Sequence, residues 1–136
     1  MVRPVVSDVE ILKKLSVEAS IMDVSVADDL MDTLNANSGK CVGMAANMIG
    51  KNVRIIAVID EGRMMEKFNP RITAQSGVFD ALEGCLSLAG FRRTKRYRSI
   101  TVEWQTRGFQ TKRAAFSGWT AQIIQHEIDH LNGILI

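Results

Sequence analysis

Residues 123–133, which read IIQHEIDHLNG, contain both histidines of this 136-residue chain and decide its predicted fold. His126 and His130 are four residues apart, so on an α-helix they project from one face, about 40° apart. Glu127 stands beside them. This is the H-E-x-x-H pattern, in which two histidines bind one metal ion and the glutamate handles a proton. The alternative interpretation is a pair of exposed histidines on an amphipathic helix.

The helix that carries these histidines is predicted from about residue 119 to 131, with Ser117 as its N-cap and Gly133 as its stop. Trp119 and Ile123 lie on the histidine face of the helix. Another side is covered by apolar residues, namely Ile124, Ile128 and Leu131. A helix that is apolar on more than one side is central and buried. Buried histidines need polar partners, and a metal ion supplies them.

A third metal ligand is expected upstream of the histidines. Catalytic metal sites normally use three protein ligands and leave one position for water. Only six residues follow His130, and among them Asn132 is at best a poor ligand. The remaining candidates are a carboxylate or one of the two cysteines, Cys41 and Cys85. Either cysteine is also compatible with a small buried hydrophobic residue, and the spacing alone does not separate them.

The rest of the sequence predicts helices first and strands later. Residues 7–10 and 25–28 each place a hydroxyl three residues before an acid, which is a helix-start signature. The second helix would bury Val26, Leu30 and Leu34. A glycine-containing loop at 39–50 leads into a strand at 53–59, followed by a strand at 64–70 that ends at Pro70. Residues 99–106 alternate like a half-buried strand, and a hairpin turn at 106–109 leads into 109–116.

Composition and length limit the class of protein. The chain is 46% hydrophobic, which suits a single α+β domain over residues 1–136 with antiparallel strands around the central metal-binding helix. The formal net charge of +2 gives no sign of a nucleic-acid or membrane partner. We find no leader and no apolar run of roughly 18 to 20 residues, so we expect a cytoplasmic protein without a membrane span.

Three stretches together resemble the peptide deformylase family. CVGMAANMIG at 41–50 is similar to the motif G-x-G-x-A-A-x-Q, EGCLS at 83–87 matches the second motif, and QHEIDH at 125–130 matches the third. The resemblance implies that Cys85, His126 and His130 bind the metal. It also implies that Glu127 is the general acid/base and that Leu86 offers its backbone N–H to the substrate oxygen. The family usually uses Fe(II), with zinc, nickel or cobalt substituting.

The reaction implied by the resemblance is removal of the formyl group from the N-terminal methionine of newly made proteins. A divalent ion brings the pKa of its water near neutrality, and Glu127 would pass the proton to the departing amine. A thiolate ligand leaves the site less positive than a third imidazole would, in keeping with iron. Trp119 and Ile123 are candidates for the wall that receives the methionine side chain. Gly43 and Met48 complete the predicted substrate-binding residues.

The first motif departs from the family pattern at three positions. Cys41 replaces the first glycine, Asn47 stands where proline is common, and Met48 replaces the glutamine whose amide would donate to the formyl oxygen. Loss of one such donor typically costs about 2.7 to 4 kcal/mol, or roughly a hundred- to a thousandfold in rate. The Asn47 amide is a substitute only if its side chain faces the substrate, and in an extended segment it would not.

Three functions follow from these residues. The first is metal-dependent hydrolysis of N-formyl-methionyl peptides, with reduced turnover. The second is a protein that binds metal and formylated peptides, or a partner, with little turnover because of Met48. The third is a small zinc protease, which the EGCLS match and the missing downstream ligand disfavour.

A basic run at residues 92–98 allows two interpretations. It is compatible with a ribosome or nucleic-acid contact. A solvated loop is favoured, because acidic residues elsewhere nearly balance its charge. Alignment with the family indicates that Arg96 pairs with Glu83 and steadies the segment that presents Cys85.

Overall fold

A five-stranded antiparallel sheet organises the chain in the computed structural model, which describes all 136 residues. The strands neighbour one another in sequence order. They are β1 (Gly43–Ala45), β2 (Ile55–Asp60), β3 (Arg63–Gly84), β4 (Phe91–Gln105) and β5 (Thr111–Ser117). The helices are α1 (Val9–Leu12), α2 (Val24–Ala36) and α3 (Gly118–Leu131). This arrangement confirms the predicted α+β class. None of the helices has the length and apolar content needed to cross a bilayer.

Strand β2 lies between the two hydrophobic cores of the molecule. Alternate residues of a strand point to opposite faces, so Ile55 and Ala57 enter one core while Ile56 and Val58 enter the other. All four side chains are fully buried. Helix α2 closes the first core with Leu30 and Leu34, and α3 closes the second with residues that include Ile124 and Leu131. Burial of such side chains stabilises the fold by about 1.5 to 3 kcal/mol each.

Helix α3 is the central helix that the sequence predicts. Nine of its 14 residues are buried, and it packs against β1, β2, β4 and β5. Ser117 occupies the N-cap position without a side-chain capping bond, and Gly133 adopts φ 73° just beyond the end of the helix. Four of the buried residues are polar, namely Gln125, His126, Glu127 and His130. Buried polar groups are costly without partners, so this face of α3 marks the candidate site.

Both predicted helix starts are displaced by a few residues. Asp8 rather than Ser7 caps α1, because its Oδ1 accepts from the backbone N–H of Glu10 at 2.9 Å. A capping box forms at Ser20 rather than Ser25, in a short 3-10 turn that continues directly into α2. In each case an oxygen-bearing side chain nearby has the same capping chemistry as the predicted one.

Two predictions about the strands are wrong. Strand β3 does not end at Pro70, because the ladder shifts register between Phe68 and Arg71 and Asn69 adopts φ 51°. A bulge of this kind accommodates a proline that cannot donate to the ladder. The basic run at residues 92–98 is not a loop, since it lies within β4 and pairs with β3. Most of its charges point to solvent, but Arg96 is buried.

The segment after α3 packs tightly against the backbone that follows α1. A Cβ on Gly133 would lie 2.2 Å from the carbonyl oxygen of Lys13. We expect Gly133→Ala to lower the free energy of unfolding by about 2 to 5 kcal/mol, because overpacking adds to the strain of a positive φ. Gly62 has φ 79° and open space around it, so Gly62→Ala should cost only about 1 to 2 kcal/mol. If urea denaturation gave the same loss of unfolding free energy for both variants, the contact with Lys13 would add nothing to the cost at Gly133.

Candidate metal centre and active-site cleft

Three potential metal ligands converge where the turn between β3 and β4 meets α3. The Nε2 atom of His130 lies 3.3 Å from Cys85 Sγ and 3.1 Å from His126 Nε2. All three ligand atoms lie within 4.8 Å of one another. A tetrahedral ion with bonds of about 2.0 to 2.3 Å would space such atoms roughly 3.3 to 3.7 Å apart. The donor set fits one divalent ion, and the two short spacings of 3.1 and 3.3 Å lie just below and at the lower end of that range.

The elements of the fold explain why these three side chains meet. His126 and His130 share a face of α3, as the four-residue spacing requires. Cys85 directly follows the last residue of β3, in a turn where the N–H of Leu88 donates to the Cys85 carbonyl at 3.3 Å. Cys41 lies outside the three-residue cluster, although it lines the same cleft. Burial and the nearby Glu127 charge raise the pKa of the Cys41 thiol to about 11, so it stays protonated.

Glu83 and Arg96 form a buried ion pair behind His126. Arg96 donates from Nε and Nη2 to Glu83 at 3.0 and 2.7 Å, as predicted, and from Nη1 to Asp129 at 2.6 Å. Gln122 donates to the same carboxylate at 2.8 Å. Burial alone would raise the pKa of Glu83, but hydrogen bonds from His126, Arg96 and Gln122 lower it to about 2. Glu83 is therefore an ionised acceptor inside the protein.

The Glu83 carboxylate orients the first histidine. Its Oε1 lies 2.8 Å from His126 Nδ1, which places a proton on Nδ1 and turns Nε2 toward the cluster. Burial would lower the pKa of His126, but its hydrogen bonds with Cys85 and Glu83 raise it to about 10. Burial and the charge of His126 lower the pKa of His130 to about 3, so His130 remains neutral. A neutral imidazole is the form that binds metals, so an ion bound at Nε2 would replace the second proton that His126 carries without it.

Glu127 lies against Gly43 in the wall of the cleft. A Cβ at Gly43 would come within 2.8 Å of Glu127 Oε2 and of Ile123 Cγ2, so only glycine leaves room for the carboxylate. Glu127 is 4% exposed, and its Oε1 has no hydrogen-bond partner. Burial raises its pKa to about 7, partly opposed by the charge of His126. A carboxyl with this pKa is suited to exchanging protons at neutral pH.

The cleft beside the cluster has a volume of about 980 Å³. Its lining includes all of the predicted substrate-binding residues, namely Gly43, Met48, Trp119 and Ile123, together with Leu86 and Glu127. Ile123 is 5% exposed and forms part of the deep wall, whereas Trp119 is 62% exposed and stands at the rim. The backbone N–H of Leu86 donates to no backbone carbonyl. It remains available to a bound oxygen.

The first-motif segment supplies no side-chain amide to this cleft. It forms a 3-10 turn over Ala46–Ile49 rather than an extended strand. Met48 accepts a weak contact from the N–H of Ala45 at its Sδ, 3.5 Å away, and has no N–H to offer. Asn47 is fully buried and donates its amide to the carbonyl of His130 at 2.8 Å. The Asn47 amide is therefore committed elsewhere.

Sequence reasoning missed two polar residues of α3 that support the site. Gln122 and Asp129 hold Glu83 and Arg96, respectively. Their helical spacing from His126 could have identified both residues from the sequence. Gln122 precedes His126 by four residues and Asp129 follows it by three, so both lie next to His126 on the helix surface.

Comparisons with known proteins agree with this geometry. The family model described as polypeptide deformylase matches residues 5–136. A peptide deformylase from Clostridium beijerinckii is 47% identical over 136 residues and is covered, like this chain, over 100% of its length. A crystal structure of a class I type b peptide deformylase from Acinetobacter baumannii superposes with a TM-score of 0.90 at 31% identity, covering 99% of this chain and 97% of that one. A structure described as the Met-Ala-Ser-bound form of the Acinetobacter enzyme superposes at 0.89 with 28% identity, over 99% and 97%.

We expect Arg96→Ala to lower the free energy of unfolding by about 3 to 5 kcal/mol, because it leaves the Glu83 carboxylate buried without its ion partner. The matched control is Arg71→Ala. Arg71 pairs with Glu103 at 2.9 Å but is 68% exposed, so its loss should cost at most about 1 kcal/mol.

The contribution of the Glu83–Arg96 pair to stability depends on pH. The pKa of Glu83 in the folded chain is about 2, below its ordinary value of 4.5. Its contribution to stability is therefore present above pH 4.5 and lost as the pH falls toward 2. In Arg96→Ala the pKa rises, so the midpoint of acid unfolding should move to higher pH. An unchanged midpoint by circular dichroism would contradict the assigned role of the pair.

Proposed function

This chain belongs to the peptide deformylase family, and from that premise we propose that it is a metal-dependent hydrolase that removes the formyl group from N-formyl-methionyl peptides of newly made proteins. The observation that carries the proposal is the convergence of Cys85, His126 and His130 beside the buried carboxylate of Glu127. The related Acinetobacter enzyme bound to Met-Ala-Ser supports a methionyl peptide as the occupant of the cleft.

Cys85, His126 and His130 would hold the metal ion. We propose Fe(II) as the natural metal, since one thiolate among imidazoles suits iron, with zinc, nickel or cobalt able to replace it. When bound, the ion supplies Lewis acidity, which brings the pKa of a water molecule near neutrality. Glu83 keeps the Nδ1 proton on His126, so its Nε2 lone pair faces the cluster.

The protein's own residues divide the remaining work. Glu127 accepts the proton of the attacking water and then delivers it to the amine that leaves. The N–H of Leu86 donates to the formyl oxygen as charge develops there. Ile123 provides apolar surface for the unbranched methionine side chain, with Gly43 and Met48 lining the same space and Trp119 at its rim.

A second candidate function follows from the first motif, in which Met48 replaces the glutamine and its side-chain amide. Met48 offers no N–H, and the Asn47 amide is engaged by the His130 carbonyl, so Leu86 is the only predicted oxyanion donor from these motifs. A protein of this kind could bind metal and formylated peptides with little turnover.

We treat residues 1–136 as one deformylase domain that acts in the cytoplasm, where formylated chains are made. Proximity to the ribosome through the basic residues of β4 stays a prediction.

The direct test is formate release from formyl-Met-Ala-Ser by protein loaded with Fe(II) or Ni(II) without oxygen. Glu127→Ala should lower kcat by about 10²- to 10⁴-fold, because the proton acceptor is lost. Met48→Gln should raise kcat/KM, by up to about a hundred- to a thousandfold, because it restores a donor. Equal metal content in all three proteins is the control.

The outcomes separate the candidate functions. Turnover in the wild type that disappears in Glu127→Ala supports deformylation. Turnover that appears only in Met48→Gln would favour the binding protein, and cleavage of an unformylated peptide would favour a protease.

The pH dependence of kcat/KM gives an independent test of Glu127. The carboxylate must be ionised to accept a proton, so the rate should fall as the pH drops below its pKa. Burial places that pKa at about 7, and a nearby divalent ion lowers it toward the ordinary value of 4.5. We therefore expect an acid limb with an apparent pKa between these values. A flat profile from pH 8 down to about pH 4, below the whole expected range, would exclude Glu127 as the base if circular dichroism shows that the protein stays folded.

A further inference from the structure

Asn47 and His130 carry two of the six buried side-chain polar atoms that have no hydrogen-bond partner, namely Asn47 Oδ1 and His130 Nδ1. Both residues are fully buried. They are already joined, because Asn47 Nδ2 donates to the His130 backbone carbonyl at 2.8 Å across a separation of 83 residues. One unpaired acceptor and one unpaired nitrogen therefore belong to two residues in direct contact.

The chemistry of the cluster decides the role of that nitrogen. His130 Nε2 faces Cys85 Sγ and His126 Nε2, so metal binding at Nε2 places the proton of the neutral ring on Nδ1. A buried N–H without an acceptor costs about 1 to 3 kcal/mol. Glu83 accepts the Nδ1 proton of His126, but no carboxylate accepts the Nδ1 proton of His130.

We propose that Asn47 is the positioning residue for His130. Its Oδ1 makes no direct hydrogen bond to His130 Nδ1 in this structure, and it accepts the Nδ1 proton across one buried water molecule, while its Nδ2 holds the main-chain carbonyl of the same residue. The carboxamide thereby fixes both the ring orientation and the tautomer of the second histidine. The 3-10 turn of the first motif thus holds His130 through Asn47, while its next residue, Met48, lines the cleft.

A rival acceptor exists at the same end of α3. Ser16 donates its N–H to the Leu131 carbonyl at 2.8 Å, and its hydroxyl oxygen is also buried without a partner. Asn47 is favoured because it already contacts His130 itself. Ser16→Ala therefore belongs in the test.

The test measures Co(II) affinity by chelator competition and records the Co(II) absorption spectrum, without substrate. Asn47→Leu keeps the side-chain size but removes both the N–H donor and the oxygen acceptor of the amide, and it should weaken Co(II) binding about 10- to 100-fold and shift the spectrum. Asn47→Asp keeps an oxygen at the acceptor position and should stay within about fivefold of wild type. The matched control is Asn52→Leu, since Asn52 donates to a backbone carbonyl, that of Ile11, at 3.1 Å. It should leave affinity and spectrum unchanged.

Three results would overturn the proposal. If Asn47→Asp weakened Co(II) binding as much as Asn47→Leu does, the effect would come from loss of the Nδ2 donor alone. A larger effect from Ser16→Ala would make Ser16 the acceptor. Unchanged affinity in Asn47→Leu would remove any role for Asn47 in metal binding. The inference rests on the proposed metal site and not on turnover, so absence of Co(II) binding in the wild type would refute the metal site itself.

A second measurement does not depend on a folded variant. In ¹⁵N-labelled wild type loaded with zinc, both histidines should show an Nδ1–H signal that exchanges slowly with water, one held by Glu83 and one by Asn47. With two histidines in the chain the assignment is simple. A single protected signal would show that the Nδ1 proton of His130 has no acceptor.

Discussion

The site depends on one carboxylate that is ionised inside the protein. Glu83 lies at the end of β3, where it holds Arg96 of β4 and His126 of α3. Removing such charges from water costs several kcal/mol each, so the pair is tolerated only in a geometry that satisfies both partners. This requirement fixes the β3–β4 hairpin relative to α3. Because Cys85 follows Glu83 by two residues, the constraint that orients the histidine also delivers the thiol.

Burial has opposite consequences for the two glutamates near the cluster. Glu83 is surrounded by donors, and its pKa is lowered to about 2. Glu127 has far fewer partners, and burial raises its pKa to about 7. The two carboxyl groups thus differ in protonation: Glu83 is a permanent charge that orients His126, whereas Glu127 is able to exchange a proton near neutral pH. The glycine at position 43 makes this possible, since it leaves space for Glu127 without supplying a hydrogen bond.

The sequence anticipated the parts of this structure that depend on short-range patterns. The four-residue spacing of the histidines placed α3 and its buried face, and alternation located the strand around Ile100 and Val102. The strand end predicted at Pro70 and the helix start predicted at Ser25 were wrong. A β-bulge carries β3 past Pro70, and the capping box forms at Ser20; tertiary context sets both features. Cys41 and Cys85 could not be separated by local chemistry. Strand pairing between Glu83 and Arg92 decides which thiol reaches the histidines, and pairing is a long-range property.

The sequence separation within the cluster has a consequence for the unfolded chain. Cys85 and His130 are 45 residues apart, yet their ligand atoms lie 3.3 Å from each other. An ion bound there would hold the two ends of a long loop together only in the folded chain, because the unfolded chain rarely keeps a preformed site, and unfolding would release the ion. Part of the binding free energy would then appear as folding free energy. Metal supply would set how long the folded enzyme persists, as well as how fast it works.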